Sequence, residues 1–337
     1  MVGSYYEFDL DFLDQAMSDW LRLFPEIKPY YAVKCNPHPL IIDRLVKLGA
    51  GFDCASMAEI DLVISKGSKD ILFANPCKIP SDIRRAQDLG ITRTTFDSVS
   101  ELSKLDNSWE LILRIRADDP SAVCPLGNKY GAEESEWSDL LLAVKVGRFN
   151  LVGISFHVGS GARNEMAYFD GVKKALRAVK LAMEYGLEPK IIDIGGGFTH
   201  GKIPTELSKG LMDYLDGFEV IAEPGRYFAE KVATLYTPVI GYKKDSVTID
   251  ESLYGAFNCR IFDHAEPKPV FQDLRSKSPK TLFGCTCDGI DVIYDTILLP
   301  ELKIGDVLKW SDMGAYTMAA TTSFNGIPFQ KRPILCI

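Results

Sequence analysis

Residues 30–56 read YYAVKCNPHPLIIDRLVKLGAGFDCAS, and the order of textures in that stretch decides the fold. An apolar run at 30–34 ends in a single lysine, Lys34. Leu40, Ile41, Leu45 and Leu48 then recur at helical spacing with Asp43, Arg44 and Lys47 between them, and Gly49 stands where such a helix stops. A second apolar run follows at 51–56. Strand, amphipathic helix and strand in so short a span make one crossover unit of a parallel sheet.

The alternation continues downstream. Ile60, Val63 and Ile64 share a helical face before Gly67, and further apolar or β-branched runs lie at 71–75, 93–98, 111–116, 153–158, 191–195 and 219–223. With the first two these are eight strand signals, separated mostly by helical patterns. Eight such units predict an α/β fold closed as a (β/α)8 barrel, an open doubly wound sheet of the same units being the competing arrangement. After residue 227 the texture changes. Runs at 234–242, 246–249, 281–283, 307–310 and 315–320 read as strands with no helical pattern between them, and residues 5–10 and 12–23 add an early strand and a helix. The expected organisation is a barrel over 26–230 and a second, C-terminal all-β domain of 231–337 with 1–25, which takes the N-terminal strand.

The 337 residues, 46% hydrophobic and 25% charged, suffice for a large core. A net charge of -8, with no clustered Lys and Arg, disfavours a nucleic-acid partner. The eight cysteines, Cys124 among them, lack framework spacing and read as reduced thiols. Cys285-Thr-Cys287 is not zinc spacing, and with four histidines no metal site is expected. No stretch approaches the ~20 apolar residues that span a bilayer, and the N-terminus has no basic region before an apolar run. The expectation is a soluble, cytoplasmic protein without membrane or nucleic-acid partners.

In a barrel the strand C-termini face one opening, so reactive side chains belong at the ends of the runs. Lys34, Asn75, Asp97, His157 and Glu223 end theirs, Asp53 and Arg114 lie within theirs, and Gly195-Gly-Gly197 closes the seventh. One polar residue at a strand end is ordinarily a cap or a satisfied buried group, and it is the shared position that points to a site. Lys34 reads as a lone amine in an apolar strand, where burial would favour the nucleophilic neutral form; the bland alternative is a snorkelling surface lysine. Asp193-Ile-Gly-Gly-Gly-Phe198 offers backbone N–H groups to phosphate oxygens, although tight strand-to-helix turns also use glycine. Glu223-Pro-Gly-Arg226 adds a second glycine turn beside a cation. Neither spacing is that of a dinucleotide or P-loop site. One amine, one carboxylate and one phosphate cradle together suggest pyridoxal 5'-phosphate (PLP).

With these residues in view, the sequence resembles the eukaryotic-type ornithine decarboxylases, PLP enzymes of group IV that share an alanine-racemase-like barrel and a β domain. The likeness spans nearly the whole chain, through YYAVKCN (30–36), GFDCAS (51–56), FHVGSG (156–161), DIGGGF (193–198), AEPGRY (222–227), TCDG (286–289), GAYT (314–317) and FNG (324–326). The resemblance implies that Lys34 binds the cofactor aldehyde, Glu223 pairs with its ring nitrogen and His157 stacks on the ring. Ser160, Gly196, Gly197, Gly225, Arg226 and Tyr316 would hold the phosphate, with Asp53, Glu59 and Arg114 shaping the surroundings. Asp263 and Asp288, with Phe262 and Phe324 nearby, would bind substrate, and Cys287 would protonate Cα after carbon dioxide leaves.

The implied activity is decarboxylation of L-ornithine to putrescine, in polyamine biosynthesis. The implied assembly is a homodimer with shared sites, where the partner subunit's Cys287 and the partner subunit's Asp288 join the barrel carrying Lys34. Lys129 and Asp291 match residues that form a cross-subunit ion pair in relatives, and an antizyme-like protein is the implied regulator.

Arginine and lysine decarboxylases of the same fold are the nearest alternatives; Asp rather than Glu at 263 favours ornithine. A diaminopimelate enzyme needs a cation where Asp263 and Asp288 stand, and a racemase needs a tyrosine where TCDG stands. A non-catalytic antizyme-inhibitor-like paralogue would lack cofactor or chemical residues, yet Lys34, His157, Glu223, Arg226, Cys287 and Asp288 are all present. Phe262 departs from the tyrosine common in relatives and so lacks its hydroxyl. The connections 197–223 and 242–254 are shorter than is usual there, and no long C-terminal extension follows Phe324.

Overall fold

The computed structural model describes residues 3–117, 119, 121–122, 127, 129–162, 164–203, 205–271 and 276–337; Cys124 lies outside them. Strand β1 (Tyr5–Phe8) comes first, followed by β2 (Ile27–Ala32), β3 (Gly51–Cys54), β4 (Ile71–Phe73), β5 (Arg93–Phe96), β6 (Glu110–Arg114), β7 (Asn150–Ser155), β8 (Ile191–Asp193) and β9 (Glu219–Ala222). Strands β2 to β9 pair in sequence order, and β9 returns to β2 with Val220 opposite Ile27 and Ala222 opposite Pro29, closing a parallel barrel. All eight apolar runs are strands of this ring, and the open sheet is excluded. Parallel strands in a barrel are covered on both faces, which is why they appear as continuous apolar runs rather than as alternations.

Inside the ring Tyr30, Leu72, Ala74, Ile112, Ile191 and Ile221 form one buried cluster. Gly51 makes room for the largest of them, since a Cβ there would lie 2.6 Å from the Tyr30 ring. The expected first helix spans Pro39–Lys47 and buries Ile41, Ile42 and Leu45; His38 caps it by accepting from Leu40 N at 3.3 Å. The second spans Met57–Ser65, with Met57, Ile60 and Val63 buried.

The remaining strands are β10 (Ala233–Lys243), β11 (Ser246–Ile249), β12 (Pro269–Val270), β13 (Ser278–Phe283), β14 (Val292–Leu299), β15 (Val307–Trp310) and β16 (Ile334–Cys336). They form a sheet in the order β12-β15-β10-β11-β13-β14, with β1 antiparallel to β10 and parallel to β16. The expected strand at 315–320 is instead a turn. Tyr316 takes φ 54°, a left-handed conformation that no strand accommodates, and Gly314 packs so tightly that a Cβ would lie 1.8 Å from Ala229 O.

Two units result: Asp14–Phe228, and Met1–Leu13 with Ala229–Ile337. Most of the helix Asp11–Leu23 goes with the barrel, because Trp20 packs against Phe24, Phe198, Tyr227 and Phe228 and donates from Nε1 to Ile27 O at 2.8 Å. Removing such a ring from a core costs about 3–5 kcal/mol. Among the described residues no helix is long and apolar enough to cross a membrane, and no group of three or more His, Cys, Asp or Glu side chains is placed to hold a metal ion.

Candidate active site

Parallel closure sends all the barrel's strand ends the same way, and the polar residues stand there. Lys34 lies on a single 3-10 turn, Val33–Cys35, beyond the end of β2. Nor is it a buried lone amine. Its side chain is 41% exposed, and Nζ pairs at 2.6 Å with Oδ2 of the buried Asp53. Two features explain these departures from expectation: the turn takes the amine off the covered strand, and Asp53, opposite Ala32 in the β2–β3 register, supplies its countercharge.

Several neighbours prove to be loop ties. Asn75 Nδ2 donates to Ala55 O at 3.3 Å, and Asp97 Oδ2 accepts from Gly131 N at 2.9 Å. Glu59 accepts from Ala55 N at 2.6 Å while Ser56 Oγ accepts from Glu59 N at 3.3 Å, so both secure the start of the Met57–Ser65 helix. Arg114 ends β6 with its guanidinium 5.2 Å from the centre of the Tyr130 ring.

Two residues beyond β7, His157 accepts at Nδ1 from Gly159 N at 2.9 Å, so its ring proton sits on Nε2. Burial, followed by the Arg114 and Lys34 cations, holds this imidazole well below the usual histidine pKa and therefore neutral. Gly195 and Gly197 adopt φ 66° and 99°. A Cβ on Gly196 would lie 2.7 Å from Glu223 O and 2.9 Å from His157 Nε2, and one on Gly197 would lie 2.7 Å from Gly159 O. Gly225 abuts the Lys34 turn, where a Cβ would meet that of Cys35 at 2.9 Å. Arg226 donates to Ser160 Oγ at 3.3 Å, putting a cation and a hydroxyl together in this set. Close-packed glycine backbone beside such a pair makes an anion cradle.

Glu223, just after β9, is buried and its N–H donates to Gly195 O at 2.8 Å. Burial and the Asp53 charge raise its pKa, against the opposing pull of Lys34 and Arg114. Lys34, Asp53, Arg114, His157 and Glu223 thus share one electrostatic neighbourhood. Within it, Asp53 Oδ1 is buried and finds no hydrogen-bond partner among the described residues.

In the β unit, Cys287 and Asp288 lie between β13 and β14. Cys287 is exposed and its N–H donates to Asn325 Oδ1 at 2.9 Å. Tyr254 donates to Asp288 Oδ2 at 2.5 Å, a bond that holds this carboxyl below its ordinary pKa, and the Tyr254 ring stacks on Phe324 at 4.2 Å. Phe262 is 67% exposed on the short helix Cys259–Phe262, and Asp263 is buried at that helix's end. Tyr316 occupies the 311–320 turn.

Asp291 serves its own loop. It is buried, and its carboxylate accepts from Ser252 Oγ at 2.8 Å, Leu253 N at 2.9 Å, Thr286 Oγ1 at 2.7 Å and Thr286 N at 3.1 Å. The Lys129 ammonium lies 5.0 Å from the centre of the Tyr130 ring. The acid holds the loop that carries Cys287.

Sequence reasoning gave no part to Asp193, Tyr254 or Asn325, nor to Lys78, a buried lysine paired with Glu101 at 2.8 Å. Asp193 did leave a signal, since it interrupts the apolar run Ile191-Ile-Asp-Ile194.

Residues 10–230 match the family described as "Pyridoxal-dependent decarboxylase, pyridoxal binding domain". The ornithine decarboxylase of Caenorhabditis elegans is 39% identical over 359 residues, which cover 96% of this chain and 85% of that protein. Antizyme inhibitor 2 of Xenopus laevis is 39% identical over 94% of this chain and 76% of its own length. Among solved structures, the arginine decarboxylase of Paramecium bursaria Chlorella virus bound to agmatine matches with a TM-score of 0.95 at 39% identity, covering 100% of this chain and 96% of that one.

Proposed function

The chain belongs to the pyridoxal-dependent decarboxylases, and from that premise we propose that it converts L-ornithine to putrescine, a step of polyamine biosynthesis. The observation that carries the proposal is the gathering of Lys34, Asp53, His157, Glu223 and the glycine loops at one end of the barrel.

PLP fits the residues present. Lys34 extends a half-exposed amine, Asp53 Oδ1 is buried without a donor among the described residues, and the glycine wall with Arg226 and Ser160 suits a phosphate. Lys34 would hold the aldehyde, Glu223 the ring nitrogen, and Ser160, Gly196, Gly197, Gly225 and Arg226 the phosphate, with Tyr316 as a further ligand. Asp53, Arg114 and His157 would line the ring. Bound PLP supplies an electron sink for the pair left on Cα when carbon dioxide departs. Glu223 would keep the ring nitrogen cationic, and His157, being neutral, adds no charge to oppose it. Cys287 would return a proton to Cα. Asp263 and Asp288 would meet the distal ammonium, so that a chain of the wrong length leaves a charge unpaired.

Exposure of Cys287, Phe262 and Ile290 supports a homodimer in which the partner subunit's Cys287 and the partner subunit's Asp288 complete each site. We place the enzyme in the cytoplasm, and likeness to an antizyme inhibitor supports an antizyme-like regulator. Likeness to the viral arginine decarboxylase favours one second reading, since a guanidinium also pairs with carboxylates. Carbon dioxide release across ornithine, lysine and arginine separates them. We expect kcat/KM for ornithine to exceed the others by about tenfold or more. Preference for arginine contradicts the substrate assignment, and release from none by PLP-loaded protein indicates the non-catalytic paralogue.

A further inference from the structure

We propose that Asp193 is a positioning residue that keeps a proton and donates it in a hydrogen bond to Glu223, thereby fixing Glu223 as the ionised partner of the cofactor's ring nitrogen. The proposal rests on the reading of the barrel end as a PLP site.

The geometry comes from neighbouring strands. Asp193 is the last residue of β8 and pairs with Ile221 of β9, two residues before Glu223. Its side chain is 0% exposed. Oδ1 accepts from Gly195 N at 2.8 Å, whereas Oδ2 is buried without a partner among the described residues. Ser155, in register with it on β7, does not satisfy that oxygen, for the Ser155 Oγ is itself unpartnered. The group Asp193 reaches is the Glu223 carboxyl. Two enclosed carboxylates in contact repel, and neither can donate; a single proton between them removes both penalties.

Charge around the pair decides where that proton resides. Asp53 on β3 faces both acids, while Lys34 after β2 and Arg114 on β6 face Glu223 and favour its anion. His157 after β7 is neutral. Among the described residues the main influences on Asp193 are burial, the Glu223 and Asp53 carboxylates and the Gly195 N–H, and burial followed by the Glu223 charge drives its pKa well above the ordinary carboxylate range.

The variants Asp193→Asn and Asp193→Val distinguish a proton donor from mere bulk. Asparagine keeps both the acceptor for Gly195 and a permanent donor to Glu223, so PLP uptake should persist and kcat should stay within about threefold of wild type. Valine lacks the donor; the Glu223 anion is then less favoured, and the acid limb of the kcat profile should move up by about one pH unit. Infrared spectra of the PLP-loaded wild type should show the carbonyl stretch of a protonated carboxyl, and Asp193→Asn should lack it. Absence of that band in the wild type, or identical acid limbs in the two variants, overturns the proposal; should valine fail to fold, the infrared comparison still decides. Failure of the wild type to take up PLP instead contradicts the reading of the whole site.

Discussion

The barrel end and the Cys287 loop are built on different physical principles. At the barrel end, charges answer one another: the buried Asp53 pairs with the partly exposed Lys34, and the buried Glu223 lies in a field set by Asp53, Lys34 and Arg114. In the β unit Cys287 and Phe262 stay at the surface while Asp263 is buried, and the Cys287 loop is held by the buried Asp291 and its four hydrogen bonds. A cofactor site must be organised before its ligand arrives. A loop that would complete a second subunit's site, as proposed for the one carrying Cys287, needs only its own shape fixed, its reactive face being left open.

The largest expected effect breaks that comparison at the exposed end. Cys287→Ala should leave folding and PLP uptake unchanged, because the side chain is exposed, yet lower clean diamine formation about a hundredfold. Mixing that variant with Lys34→Ala should restore about a quarter of wild-type activity through hybrid dimers with one intact site. Unchanged turnover by Cys287→Ala removes its assigned role, and no recovery from verified hybrids removes the shared site. A smaller effect sharpens the contrast: Asp291→Ala strands buried donors and should cost about 3 kcal/mol, read as a lower melting temperature, with PLP uptake by the barrel intact. Loss of PLP uptake together with stability would show that the two regions do not behave independently.

Much of the barrel was legible because covered parallel strands are continuous apolar runs and their turns are local. The glycine loops were legible for the same reason. Lys34 was misjudged because its ion pair depends on a residue of the next strand, which no local pattern announces. The 315–320 run has strand-like composition, but the left-handed Tyr316 and the close approach at Gly314 override it. Strand β14 escaped notice because charged Asp295 and Thr296 interrupt its apolar pattern, with both residues exposed. The part Asp291 plays in its loop was not legible, since its four donors come from residues 252, 253 and 286, brought to it only by the fold.

The most direct test is chemical. Borohydride reduction of the PLP-loaded protein, followed by peptide mass analysis, should find the cofactor fixed to the peptide containing Lys34 and absent from the corresponding peptide of Lys34→Ala. Label on a different lysine, such as Lys78 or Lys129, or on none in protein that has demonstrably taken up PLP, would contradict the account.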